Sequence, residues 1–341
     1  MGMKSCLRSL VVLVFLSSLS CAQSSTLEGT RASRKPSPVD QNKFAIIIKG
    51  ASGEESYAKQ FDDWTKQLTN ILTVRFGFPE TQLRVLTETP KAPKEFPATA
   101  EQVRLTFASL KSSLAPENVL FIFFIGHGSF DGKEAKFNLV GPDLSAPEYS
   151  NLLASLPTKR IVVFNLSSAS GEFIKALSAK GRVIVTATRN GLEQNATHYP
   201  EFLLRALDAE DVDTDQDGHI SVLEAFNYAN RLTAEFFNRA GRLASEHALI
   251  DDNGDGVGRE KADAGEGLLA RATYLDSLNF EEATATAETA KLLRERTRLE
   301  GEIQDLISKK RSLPEVEYET LLEKLFIQLA KINRSIKQAG S

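Results

Sequence analysis

Residues 118–125, Asn118-Val119-Leu120-Phe121-Ile122-Phe123-Phe124-Ile125, are an apolar run too uniform to leave a wet face. A strand of that kind is buried on both sides, which is the situation of a strand inside a parallel sheet. Shorter runs repeat the theme at residues 44–48, 83–86, 160–165 and 182–187. Helical stretches are expected between them over about 55–75, 99–114, 146–155 and 171–179. Strands alternating with helices predict an α/β fold, a parallel sheet with helices on both faces. Binding residues in such sheets lie beyond the carboxyl ends of the strands. Gly126-His127-Gly128 and the stretch from Asn165 to Gly171 both fall there, on the same edge.

The chain is 341 residues long and 25% charged, with a net charge of −4, so it has no basic surplus to neutralise phosphates and nucleic acid is not an expected partner. Lys4 and Arg8 precede an apolar stretch from Leu10 to Leu16, followed by small residues, the layout of a secretory signal peptide over 1–22. Cleavage after Ala22 fits the small residues Ser20 and Ala22; a lipoprotein-type cut before Cys21 is the alternative, and would give a lipid anchor as the sole membrane attachment. Either route takes the protein out of the cytoplasm, to the periplasm or beyond the cell. Residues 23–42 are polar, Ser/Pro-rich and aperiodic, and read as a linker. The two cysteines are Cys6 and Cys21. The body from residue 43 onward therefore has neither a disulfide nor a thiol nucleophile.

Residues 213–224, DTDQDGHISVLE, carry oxygen ligands at the spacing of a twelve-residue EF-hand calcium loop. Asp213, Asp215 and Asp217 take positions one, three and five, and Gly218 takes six. His219 at seven offers its main-chain carbonyl, Ser221 stands at nine, and Glu224 at twelve is placed to bind bidentately. A hard cation wants this many oxygens, so Ca2+ is the expected cofactor. A second acidic turn begins 38 residues later (251 minus 213) with Asp251, Asn253 and Asp255. Its twelfth position is Ala262, so it reads as a partial site or a plain turn.

The order of strand, Gly-His-Gly-Ser, about forty residues, strand and a small-residue turn resembles the legumain and caspase group of cysteine peptidases. "FIFFIGHGSFDG" matches the histidine segment through His127-Gly128, and "SASG" matches the Cys-x-Ser-Gly nucleophile turn. The likeness covers residues 43 to about 207 and implies a caspase-like sandwich with His127 as base. It departs at the nucleophile, because Ser168 stands where the cysteine belongs. A thiol is partly ionised near neutral pH, whereas a serine hydroxyl needs general-base help. Three readings stay open: a serine hydrolase using Ser168 (or Ser167) and His127, a pseudo-peptidase that binds a peptide or protein partner, and a plain parallel-sheet protein with a loop histidine. Asp131 and Asn165 are the nearest candidates to orient His127. The resemblance places Arg189 where such peptidases shape the substrate pocket, which would favour acidic side chains. His198 reads as a surface histidine and His247 as structural.

After a connector over 251–275, residues 276–338 change character. Leu292, Leu299, Ile303, Leu306 and Leu313 are spaced by seven, four, three and seven, and Tyr318, Leu322, Leu325, Leu329, Ile332 and Ile336 alternate four and three. Two amphipathic helices about a turn at Pro314 make an α-helical hairpin. Its apolar stripe is expected to dock on the α/β domain over 43–250 or to pair with a second copy as a homo-oligomer. An assembly scaffold acting through this hairpin is the alternative function.

Overall fold

The computed structural model describes residues 36–262, 265–276 and, with gaps, 291–339. The expected signal peptide, Cys21 and most of the linker lie outside the described residues. The order of elements places a seven-stranded sheet at the centre: β10 (Leu249–Asp251), β9 (Arg182–Thr186), β8 (Arg160–Asn165), β4 (Val119–Ile125), β1 (Lys43–Lys49), β2 (Leu83–Thr87) and β3 (Glu95–Pro97) lie side by side in that order. All neighbours are parallel except β10, which runs antiparallel to β9. The fold is mixed α/β with a mainly parallel sheet flanked by helices, the class expected from the sequence.

Side chains alternate across this sheet and divide the core in two. Phe121, Phe123, Val162, Phe164, Val183 and Val185 face one side, where α1 (Glu55–Asn70), α5 (Tyr199–Asp208) and α6 (Val222–Arg239) cover them. Leu120, Ile122, Phe124, Ile161, Val163 and Ile184 face the other, under α2 (Ala100–Ser113), α3 (Ala146–Ala154) and α4 (Phe173–Leu177). Neighbouring central strands lock together through Phe123 and Phe164, stacked at 5.1 Å. The helix starts are written locally. The Thr99 hydroxyl accepts from the Gln102 amide to open α2, and Ser145 with Glu148 forms a capping box ahead of α3.

Several short elements lie outside the sequence reading. A three-stranded antiparallel sheet, β5 (Gly128–Phe130), β6 (Ala135–Phe137) and β7 (Leu144–Ser145), follows His127. The expected helix over 171–179 is a 3-10 turn at Ser170–Glu172 leading into the short α4.

The C-terminal segment folds back on this body. Helix α8 (Glu315–Ala339) turns Tyr318 fully inward, and Leu322, Leu325, Leu329, Ile332 and Ile336 are half-buried along the same face. Leu299, Ile303 and Leu306 of the preceding arm are buried. Ile303, Phe326 and Leu329 line a cavity of about 390 Å³ together with Asp215, Asp217 and Tyr274. Across that cavity Ile303 and Leu329 face the acidic loop 213–224 and the segment after the short helix α7 (Leu268–Arg271). No helix among the described residues is long and apolar enough to cross a membrane.

Candidate functional site

Parallel pairing of β4 with β8 sets Phe124 opposite Asn165, so the loops that follow the two strands leave the sheet side by side. His127 and Ser168 are brought to one edge by that register. They meet through main chain. The Ser168 hydroxyl donates to the Gly128 carbonyl at 3.0 Å and accepts from the Gly128 amide at 3.1 Å. Only glycine permits this approach, since a Cβ at 128 would sit 2.4 Å from the Ser168 carbonyl oxygen. Ser168 is 2% exposed, and the next residue, Ala169, holds a left-handed conformation at φ 54°.

The imidazole of His127 is turned elsewhere. It packs edge-on against Tyr57 at 4.8 Å and Phe61 at 5.2 Å, and donates to the Ser52 carbonyl. Burial lowers its pKa, with the Ser52 carbonyl and the Glu54 charge opposing the shift. A neutral ring has the right charge for a base but lacks a hydroxyl in its grip. The expected orienting residues are corrected here. The Asp131 carboxylate accepts from the amides of Lys133 and Glu134, and Asn165 accepts from Ser167 at 2.7 Å. Ser52, missed in the sequence, does the orienting, and is itself held by Glu88. Arg189 is also engaged: its guanidinium lies 3.7 Å from Glu193 and 3.5 Å from Glu260.

The acidic loop is built from the N-terminus of α6 backward. Ser221 caps that helix, and Glu224 answers in a capping box by accepting from the Ser221 amide and hydroxyl through Oε2. Its other oxygen accepts from the amides of Thr214 and Asp215, so position twelve closes on positions two and three. Asp213 accepts from the amides of Asp217 and Gly218, the latter at φ 91°, where glycine is free to go. Oxygen atoms of Asp213, Asp215 and Glu224 all lie within 4.8 Å of one another. Burial, and then the charges of Asp217 and Glu224, raise the Asp215 pKa. An all-oxygen set of crowded carboxylates fits a hard divalent cation, which would relieve the repulsion. Asp217 is spent differently, accepting from the His219 amide and from Tyr274.

Besides the carbonyl expected at position seven, His219 brings its ring into the fold: buried, it sets Nδ1 3.2 Å from Asp276. The loop's antiparallel partner is the segment 273–276. Ser221 bridges to Tyr274, and the Leu275 amide donates to the Ile220 carbonyl. Lys43, at the start of β1, donates to the carbonyls of Leu275 and Asp276 and ties that partner to the sheet.

The second turn repeats the first in miniature. Asp251 accepts from the Gly254 and Gly256 amides, and Asn253 from that of Asp255. The carboxylate that position 262 lacks is supplied by Glu266, whose oxygen falls within 4.8 Å of those of Asp251 and Asp255. Burial and the neighbouring Asp252 and Asp251 push Glu266 up to about 8, while Arg259 contacts it from outside. The one sequence signal for Glu266 is its setting between Gly265 and Gly267.

No family model matches this chain, and no curated protein does. Among solved structures, a protein of Geobacter sulfurreducens from a structural-genomics programme is 13% identical, with 56% of this chain and 88% of that one covered at a TM-score of 0.39. The Drosophila initiator caspase Dronc is 10% identical, with 74% of this chain and 96% of that one covered at a TM-score of 0.40. Likeness at this level is one of sheet and helix arrangement and carries no conclusion about activity.

Proposed function

We propose that this chain is an exported, calcium-stabilised protein of caspase-like architecture whose cleft holds a peptide or protein partner without cutting it. One observation carries the reading: the hydroxyl at the nucleophile position is used twice on the Gly128 main chain while the imidazole at the base position is used on Ser52. A working nucleophile needs its base within hydrogen-bond reach. The body from residue 43 onward also lacks a thiol to take the place of Ser168. Calcium, on this reading, serves as a structural ion. It draws together the start and end of loop 213–224, which faces Ile303 and Leu329 across a cavity, and a second ion at Asp251, Asp255 and Glu266 fastens the turn after β10.

The test is turnover of a mixture of fluorogenic peptides by the calcium-loaded protein, beside His127→Ala. The reading expects no turnover from either. Turnover that disappears in His127→Ala overturns it in favour of a serine hydrolase.

A further inference from the structure

Two arginines of the arm that precedes α8 are spent differently. Arg298 is exposed and pairs within the arm, with Glu295 on one side and Glu302 on the other. Arg296 is turned inward and is 7% exposed. It lines the cavity of about 390 Å³ together with Asp215, Asp217 and Tyr274, and so faces the acidic loop 213–224. Arg271, the other cationic side chain of that lining, is exposed. The charge of Arg296 acts on the Asp217 carboxylate, which also accepts from the Tyr274 hydroxyl and, at 2.8 Å, from the His219 amide. Asp217 is not among the three carboxylates, Asp213, Asp215 and Glu224, whose oxygens lie within 4.8 Å of one another. Its oxygens serve the segment 273–276 and the arm.

A guanidinium taken out of water needs negative charge close by, and here that charge belongs to the loop. Calcium draws on the same carboxylates. The two demands conflict. A divalent ion held by Asp213, Asp215 and Glu224 sets two further positive charges beside Arg296, and its fifth-position ligand is the Asp217 that the arm already uses. We infer that Arg296 is an internal counter-ion of loop 213–224, and that calcium and the docked C-terminal arm compete for that loop: the ion loosens the arm, and the arm weakens the ion. Linkage makes the effect reciprocal, since each changes the other's binding by one and the same factor. The arm meets the loop across a cavity at this point, so charge acts there without close apolar packing to fix the arm. This rests on calcium binding at loop 213–224, as proposed above, and gives the ion a second consequence. It gathers the loop and releases the arm.

Calorimetric titration of the full chain with calcium tests it, with Glu224→Gln identifying the heat that belongs to loop 213–224. Arg296→Gln should bind calcium there about fivefold more tightly than the native protein, the lower end of ordinary coupling between two sites. Arg296→Lys, which keeps the charge, should return to near the native affinity, and Arg298→Gln, which removes an equal charge from the exposed side of the arm, should leave it unchanged. Hydrogen exchange of the native protein gives the reciprocal readout: saturating calcium should lower protection over 295–306 by a comparable factor while α2 keeps its own. That readout stands by itself if Arg296→Gln does not fold. Calcium binding at the loop with equal or weaker affinity in Arg296→Gln, or protection of the arm that calcium leaves unchanged or raises, overturns the inference and leaves the calcium site standing. Heat that is the same in Glu224→Gln as in the native protein overturns the calcium site itself, and the competition with it.

Discussion

Ser168→Ala removes one oxygen and two hydrogen bonds. If Ser168 is a staple between the loops after β4 and β8, the change costs stability. Each bond contributes about 1 kcal/mol net, and a donor and acceptor deprived of partners inside a protein cost somewhat more. Gly128 is half-buried, so water recovers part of the loss. The sum is about 1–3 kcal/mol. Urea unfolding followed by far-UV circular dichroism should show a lower midpoint with an unchanged slope, because the buried surface is the same. Ser167→Ala makes the comparison: its hydroxyl serves Asn165 alone, so it should cost less. A Ser168→Ala protein as stable as the native one, within about 0.5 kcal/mol, would refute the reasoning. The hydroxyl would then be held for chemistry rather than for the fold.

Three further outcomes are expected. Glu224→Gln should weaken calcium at loop 213–224 on the order of tenfold or more by calorimetry, whereas Ser221→Ala, which removes the cap and the position-nine oxygen but spares the carboxylates, should cost about 1 kcal/mol of stability and weaken calcium less than Glu224→Gln does. Glu266→Gln should lower the calcium stoichiometry by one; an unchanged count removes Glu266 from the second turn. Burial lowers Lys43 to about 8 from 10.5, so between these values the unfolded chain binds the proton that the folded one has released. Stability of the native protein relative to Lys43→Met should therefore rise with pH in that window, by up to about 1.4 kcal/mol per unit, and a flat difference contradicts it.

The sheet was legible because each central strand is apolar on both faces, and the alternation of Leu120 and Phe121 between two cores follows directly from a period of two. The opening of α2 at Thr99 was legible from its cap. Strands β3, β5 to β7 and β10 were not, being two or three residues long and too short to show a period. At the site, the spacing of DTDQDGHISVLE announced the loop, yet its partner strand is set by the buried contact of Lys43 with Leu275 and Asp276, more than two hundred residues apart in sequence. Glu266 escaped for a similar reason. The EF-hand spacing demands a ligand at 262, and the chain supplies one four residues later by a different path. His127 was found and its partner was not, because Ser52 reaches it through a main-chain carbonyl, which no side-chain pattern reports.

The most direct measurement is covalent labelling of the calcium-loaded native protein with a fluorophosphonate probe, read as an increase in intact mass, alongside Ser168→Ala and His127→Ala. The account predicts no adduct on any of the three. An adduct on the native protein that is absent from both variants would mean that Ser168 leaves Gly128 and reacts with the help of His127, and the cleft would be an active site.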